Sequence, residues 1–149
     1  MENIRQAKPE DAPRLAEIEV FNYRLNFYPI FKCDEFYFDE LSVIGETEKY
    51  RRDESLIRST YVYDDGVVKG FVRIVENEVK KLFVEPALQG QSIGEKLLNY
   101  AIERHNVTFL WALEKNVRAI RFYERHGFHV TDEKKFEEDT TEYLVKLKR

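Results

Sequence analysis

The segment from Gln89 to Gly94, QGQSIG, has residue types that suit anion binding. Gly90, Ser92 and Gly94 stand at alternate positions directly before the repeating apolar pattern of an amphipathic helix. The first backbone N–H groups of a helix lack partners within the helix, and small side chains leave these groups accessible. A phosphate group fits such a place. An ordinary turn before a helix is the alternative, because short glycine patterns have many false positives.

Spacing excludes two common phosphate-binding loops. A Walker A loop has four residues between its glycines and a lysine after the second, whereas Gly90 and Gly94 enclose three residues and Glu95 follows. The dinucleotide-binding pattern GxGxxG is also absent from the chain. If the turn binds an anion, it does so as another class of site.

A second segment, NVRAIRFYERHGF from Asn116 to Phe128, indicates which class. Together with QGQSIG it resembles the two acyl-coenzyme A motifs of the GNAT superfamily of N-acetyltransferases, and the resemblance covers most of the chain. Ser92 departs from the pattern, because the family usually has a second glycine there; we expect slightly altered phosphate contact without its loss. The residues that suit the two motifs are Gln89, Gly90, Ile93 and Gly94 in the first, and Asn116, Ala119, Phe122, Tyr123, Gly127 and Phe128 in the second.

The resemblance implies acetyl-coenzyme A as co-substrate and an amine as acceptor. In the family, the strand before the turn splays from its neighbour, and its free backbone groups bind the pantetheine arm and the thioester carbonyl. The turn binds the phosphates, and the asparagine of the second motif also binds the pantetheine arm. Carried over to this chain, the cofactor-binding residues are Leu82, Phe83, Val84, Gln89, Gly90, Gln91, Ser92, Ile93, Gly94, Glu95, Asn116 and Tyr123.

Acyl transfer from a thioester to an amine needs a neutral amine, a polarised carbonyl and a proton for the departing thiolate. Tyr123 occupies the position that the family uses as general acid. A phenol has an unperturbed pKa of about 10, so it carries its proton at neutral pH. Packing of a helix against the sheet is the alternative role for Tyr123, and helix capping is the alternative for Asn116.

Glu78 is the candidate general base. It lies four residues before Leu82, where histone-type members of the family have their carboxylate, and strand alternation predicts that it shares a face with Leu82 and Val84. An exposed acid near a hairpin turn is the alternative, and water without a dedicated base is another. The competing carboxylates are Glu35, Glu85 and Glu114.

Composition excludes several classes of protein. The 149 residues are expected to form one domain, 1–149, with 43% hydrophobic and 35% charged residues. A net charge of −4 gives no electrostatic footprint for nucleic acid, and the chain has no apolar run long enough for a membrane span. A single cysteine and a charged N-terminus predict a cytoplasmic protein. The histidines and the cysteine form no short ligand pair, so we expect no metal site.

The elements that must position these residues alternate along the second half of the chain. A first helix is predicted from Pro9 to about Phe27, ended by Pro29, and a second within 41–52, interrupted by Gly45. The resemblance implies a mixed α/β fold: a mostly antiparallel, twisted sheet of six to seven strands flanked by about four helices. The remaining predicted elements are a short first strand 3–8, a hairpin of strands 60–63 and 67–75, strand 80–84, helix 91–104, strand 108–113, helix 117–126, and closing strands 128–131 and 140–147.

The acceptor is left open between a small-molecule amine and an amine of a peptide or protein. Eight aromatic residues between Phe21 and Phe38 form either a substrate wall or helix packing. Together with the acidic loop Asp132–Asp139 they favour a cationic or aromatic amine. A non-catalytic acyl-coenzyme A sensor or interaction module is the alternative function, and a homodimer is an open alternative because dimers are common in the family.

Overall fold

The computed structural model describes residues 3–149. In this part of the chain, seven strands form one sheet in the order β1-β2-β3-β4-β5-β7-β6, antiparallel except for the β4/β5 pair. None of the helices there combines the length and apolar character that a membrane crossing requires. The strands are β1 (Ile4–Gln6), β2 (Thr60–Asp64), β3 (Val68–Val75), β4 (Glu78–Val84), β5 (Phe109–Leu113), β6 (His129–Phe136) and β7 (Tyr143–Lys148). The helices are α1 (Ala12–Asn22), α2 (Tyr28–Phe31), α3 (Val43–Arg52), α4 (Glu54–Arg58), α5 (Ile93–His105) and α6 (Val117–Arg125).

Helices cover both faces of the sheet. On one face, Leu97 and Leu98 of α5 are fully buried against strands β3, β5 and β7. On the other face, Leu15 and Ile18 of α1 are fully buried and pack with Phe71 of β3. The predicted fold class is therefore confirmed, with six helices where about four were expected.

The first helix does not stop before Pro29. After α1 the backbone continues through a π-helical turn, Tyr23–Phe27, directly into α2. Pro29 lies in the first turn of α2, where a missing N–H costs little because that group has no partner within the helix. The helical path ends at Lys32, which adopts the left-handed conformation (φ 54°). The predicted end of the helix at Pro29 is therefore wrong, because the proline occupies a position in α2 that needs no N–H.

Gly45 does not interrupt the second helix either. It lies in the first turn of α3, and its N–H donates to Oγ of Ser42 at 3.0 Å. The cap stabilises the start of the helix and offsets the low helix propensity of glycine. Helix α4, which starts after Asp53, was not predicted.

A β-bulge in β4 changes which residues share a face. Arg73 of β3 pairs with Lys81, but the next residue of β3 pairs with Val79, so Lys80 is an extra residue in β4. Beyond the bulge the alternation is reversed, and Val79 joins the same core cluster as Leu82 and Val84. Glu78 therefore lies on the opposite face, and its predicted position beside Leu82 and Val84 is wrong.

Candidate active site

A cleft opens where β4 and β5 separate. The two parallel strands pair only at Glu78 with Phe109 and at Val79 with Leu110. From Lys80 onward they diverge, and a cavity of about 540 Å³ lies between the diverging strands, the end of α1, the turn before α5 and helix α6. Divergence of two parallel strands leaves backbone groups of both without sheet partners.

Only alternate residues of β4 direct their backbone groups toward the open edge of the strand. The N–H of Glu85 donates to the carbonyl of Lys69 at 2.9 Å, so Glu85 faces β3. In an antiparallel pair, every second residue bonds to the neighbouring strand. Leu82 and Val84 consequently direct their backbone groups into the cleft, and Phe83 directs its own toward β3. The predicted backbone role in cofactor binding thus has support from geometry at Leu82 and Val84.

Phe83 contributes to the cleft with its ring. The ring centroid lies 5.6 Å from that of Tyr23 and 6.3 Å from that of Phe27. Both partners come from the π-helical turn after α1, and all three residues line the cavity. The aromatic-rich region therefore supplies part of a wall. Other rings in it pack away from the cleft, such as Tyr37, which is buried in a cluster with Val20 and Leu41.

Asn22, at the end of α1, binds the free edge of β4. Its side-chain Nδ2 donates to the carbonyl of Val84 at 2.9 Å and to that of Ile18 at 2.8 Å. The side chain of Gln89 approaches the same carbonyl at 3.5 Å. Because a buried carbonyl without a partner is costly, Asn22 satisfies the group that the splay leaves unpaired. Asn22 is 1% exposed, and no motif in the sequence marked it.

The turn before α5 presents a series of free N–H groups. Gly90 (φ 86°) and Ser92 (φ 65°) both adopt left-handed backbone conformations, and α5 starts at Ile93. Within the described part of the chain, no hydrogen bond has a backbone N–H of residues 90–95 as its donor. Unpaired N–H groups at the positive end of the α5 dipole suit an anion, which is the ligand that the glycine pattern predicts.

Two cations of α6 lie beside this turn. Arg118 and Arg125 line the cleft, whereas Lys96 extends its Nζ over the ring of Tyr63, at 5.7 Å from the centroid. Helix α6 is adjacent to the turn, since a Cβ at Gly94 would lie 3.6 Å from the Phe122 ring. The cleft lining next to α5 and α6 therefore includes two guanidinium groups and one carboxylate, that of Glu95.

Asn116 and Tyr123 also line the cleft from α6. Asn116 caps the helix, with its Oδ1 accepting from the N–H of Ala119 at 3.4 Å. The ring of Tyr123 packs at 6.0 Å from that of Phe128, and burial raises the pKa of its phenol. Among residues 3–149 its hydroxyl has no hydrogen-bond partner. The group is thus a protonated donor that faces the cavity.

Lys81 lines the cleft with its charge already compensated. Its Nζ lies 3.0 Å from Oε1 of Glu19 and also contacts the hydroxyl of Tyr23. Glu19 is 2% exposed, and Arg73 approaches it at 3.7 Å. Burial opposes the charge of Glu19, but Lys81 and then Arg73 outweigh burial and lower the pKa of Glu19. This ion pair anchors β4 to α1.

The candidate bases do not line the cleft. Glu78 forms an ion pair with Lys80 at 3.3 Å, at the end where β4 and β5 are still paired. Of the described carboxylates, Glu95 and Glu137 line the cavity. Glu137 lies in the loop between β6 and β7, inside the acidic stretch noted in the sequence, but nothing in the sequence marked it individually. The other three candidates are Glu35, which is exposed, Glu85, which pairs with Arg14, and Glu114, which pairs with Lys134.

Comparison with known proteins agrees with this geometry. Residues 57–130 match the family model of the acetyltransferase (GNAT) domain. The peptidyl-lysine N-acetyltransferase YiaC of Escherichia coli is 39% identical over 70 residues, which are 46% of this chain and 48% of the relative. The peptidyl-lysine N-acetyltransferase YjaB of Salmonella typhimurium is 31% identical over 70 residues, 47% of this chain and 48% of the relative. The chain spans about half the length of the curated relatives it matches.

Solved structures extend the similarity of fold to nearly the whole chain. The PaiA N-acetyltransferase of Thermoplasma acidophilum, in complex with coenzyme A, aligns with a TM-score of 0.74 at 21% identity and covers 98% of both chains. An N-acetyltransferase from Staphylococcus aureus aligns with a TM-score of 0.76 at 16% identity, over 97% of this chain and 98% of the other. At these identities the likeness shows the fold.

Proposed function

Since this chain belongs to the GNAT superfamily of N-acetyltransferases, we propose that it transfers an acetyl group directly from acetyl-coenzyme A to a primary amine. The observation that carries the proposal is the free edge of β4 beside a turn whose N–H groups are unpaired. The first feature suits an extended amide-containing arm, and the second suits its phosphates. We also propose that residues 1–149 act as one domain in the cytoplasm, as the single cysteine favours.

Different residues of the cleft would bind different parts of acetyl-coenzyme A. Acetyl-coenzyme A, when bound, supplies the thioester. The N–H groups of residues 90–95 and the guanidinium groups of Arg118 and Arg125 would hold its phosphates. The backbone groups of Leu82 and the N–H of Val84 would bind the arm, and their N–H groups would polarise the thioester carbonyl, while Asn116 adds a side-chain amide.

Proton transfer completes the reaction. The amine attacks the carbonyl carbon, so that a C–N bond forms and the C–S bond breaks. Tyr123 would donate its phenolic proton to the departing thiolate, since burial keeps the phenol protonated at neutral pH. Glu78 lies outside the cavity, so we assign the proton released by the amine to water at the open mouth of the cleft.

A lysine side chain in a peptide or protein is the acceptor that we propose. Two relatives named peptidyl-lysine N-acetyltransferases support this choice. The aromatic rings of Tyr23, Phe27 and Phe83 would pack against the four methylene groups of a lysine stem. The open cleft mouth leaves room for the peptide backbone outside.

The first experiment measures thiol release from acetyl-coenzyme A together with the acetylated product, against lysine peptides, polyamines and arylamines. We expect turnover with lysine peptides. Saturable binding of acetyl-coenzyme A without any acetylated product would contradict the enzymatic proposal and favour a sensor on the same fold. A preference for arylamines would retain the enzyme and reject the lysine acceptor.

Tyr123→Phe tests the general acid. Loss of the phenolic hydroxyl removes the proton donor but keeps the ring, so we expect kcat to fall by about 10- to 1,000-fold with unchanged affinity for acetyl-coenzyme A by calorimetry. Tyr100→Phe is the matched control, because Tyr100 is half-buried outside the cleft. Unchanged turnover in Tyr123→Phe would remove this residue from the mechanism.

A further inference from the structure

The acceptor end of the cleft, formed by Tyr23, Asn26, Phe27, Glu137 and Leu144, contains one carboxylate. This end is bordered by the π-helical turn after α1 on one side and by the β6–β7 loop on the other. The walls are mainly aromatic and aliphatic, and Asn26 adds an amide. Lys81 also reaches this end through Tyr23, but its charge is compensated by Glu19, whereas Glu137 is a carboxylate that lines the cavity.

The β6–β7 loop holds Glu137 in place. Its N–H donates to the carbonyl of Glu142 at 2.8 Å, and its own carbonyl accepts from the N–H of Thr140 at 3.0 Å. The hydroxyl of Thr140 donates to the same carbonyl at 2.9 Å. Oε1 of the side chain accepts from the N–H of Glu138 at 3.0 Å. Because both backbone and carboxylate are bonded, the charge has a defined position at the cleft mouth.

Glu137 has no counter-ion among residues 3–149, in which no Lys, Arg or His nitrogen lies within 4.0 Å of its carboxylate. Of the cations in this region, Lys135 has its Nζ over the Trp111 ring, at 4.3 Å from the centroid, and two others are paired with carboxylates. Lys81 is compensated by Glu19, and Lys80 pairs with Glu78 at 3.3 Å. The guanidinium groups of α6 lie beside the turn, at the other end of the cleft. A half-buried carboxylate without a counter-ion at the edge of aromatic walls can form an ion pair with a positively charged ligand.

We propose that Glu137 selects acceptors by binding a second, permanent positive charge next to the reacting amine. This inference rests on the proposed function. The reacting amine must be neutral to attack, so an ion pair that persists through the reaction needs another cation. The substrate class is thus a lysine beside a basic residue, with the lysine stem against the rings of Tyr23 and Phe27 and the neighbouring cation on Glu137.

Three peptides with the same acceptor lysine test the proposal, differing only in whether Arg, Gln or Glu follows it. For the unmodified protein we expect kcat/KM to decrease in that order, by about 5- to 10-fold from Arg to Gln, the scale of a partly exposed ion pair. The difference should lie in KM with kcat within about twofold, because Glu137 binds the acceptor but does not contact the reacting atoms.

Variants of Glu137 test whether this side chain causes the preference for the Arg peptide. Glu137→Gln should reduce the preference for the Arg peptide over the Gln peptide to below about twofold, and Glu137→Lys should reverse it in favour of the Glu peptide. Glu138→Gln is the matched control, since Glu138 is an exposed neighbour outside the cleft and should keep the preference. Thermal unfolding and binding of acetyl-coenzyme A are expected to match the unmodified protein in all three variants.

Two results would overturn the inference, and they are distinct from failure of the proposed function. If the unmodified protein acetylates the three peptides equally, or if Glu137→Gln keeps the full preference, Glu137 does not select the acceptor. If none of the peptides is acetylated although acetyl-coenzyme A binds, the proposed lysine acceptor fails as well.

Discussion

Ser92 is the residue at which this chain departs from its family and adopts the backbone conformation that glycine favours. Its φ of 65° lies in the left-handed region, directly before the first turn of α5. A side chain there costs about 1 kcal/mol or more, because Cβ crowds the following carbonyl oxygen. Ser92 lines the cleft, and its N–H donates no hydrogen bond within residues 3–149, so we still expect phosphate contact there.

Replacing Ser92 by glycine should relieve this strain. We expect Ser92→Gly to raise the free energy of unfolding by up to about 1 kcal/mol in urea titrations, since relief of strain exceeds the added freedom of the unfolded chain. The affinity for coenzyme A should stay within about threefold. Ser55→Gly is the contrast, because it lies within α4 and should lose about 0.5–1 kcal/mol. Destabilisation by Ser92→Gly would show that the left-handed turn is not strained.

Single residues were predictable from sequence where their roles are local. Asn116 caps the short helix that contains Tyr123, and both belong to the second motif, so the resemblance to the family singled them out together. The role of Asn22 depends on its hydrogen bond to Val84, which is 62 positions away in the sequence. The position of Glu137 at the cleft depends on how the β6–β7 loop lies relative to the end of α1. Such placements arise from packing between distant elements, which periodicity does not encode.

At the scale of elements, the bulge and the splay in β4 shape the cleft together. Lys80 reverses the alternation, and beyond it Lys81 faces the buried Glu19 while Leu82 and Val84 direct backbone N–H groups at the cavity. A period-2 pattern cannot reveal an inserted residue, which explains the misplaced face of Glu78. Sequence patterns also did not indicate the π-helical turn before α2, which lets Pro29 lie in the first turn of a new helix.

Asn22→Ala tests the link between α1 and the open edge of β4. The change leaves the Val84 carbonyl without its closest partner, so we expect a loss of about 1–3 kcal/mol in the free energy of unfolding and weaker binding of coenzyme A as the edge shifts. Asn77→Ala is the control, because Asn77 is exposed and bonds to the side chain of Thr108. If both variants keep full stability and affinity, the Asn22 bond does not hold the edge open.

At the scale of the whole molecule, an ion pair network joins the first strand, the first helix and the neighbouring strand. Arg5 of β1 bonds to Asp11, just before α1, at 2.8 Å, and to Asp64 of β2 at 3.0 Å. Asp11 also accepts from the N–H of Lys8 at 2.8 Å. The network thereby positions the start of α1, whose far end forms a wall of the cleft.

Asp11 should make the stability of the fold sensitive to acid. Burial opposes its charge, but the Arg5 hydrogen bond and the Lys8 N–H outweigh burial and lower its pKa. A carboxyl group with a lower pKa in the folded state stabilises that state above its unfolded pKa of about 3.9, and this contribution is lost as the pH falls through the folded value. Asp11→Asn should therefore lower the free energy of unfolding by about 1–2 kcal/mol at pH 7, allowing for partial solvent screening.

Unfolding by urea from pH 7 to pH 2.5 should show the stabilities of Asp11→Asn and the unmodified protein converging at the acid end. The exposed control Asp132→Asn should match the unmodified protein throughout. A difference between Asp11→Asn and the unmodified protein that is constant across this range would mean that Asp11 contributes by packing, without a contribution from its charge.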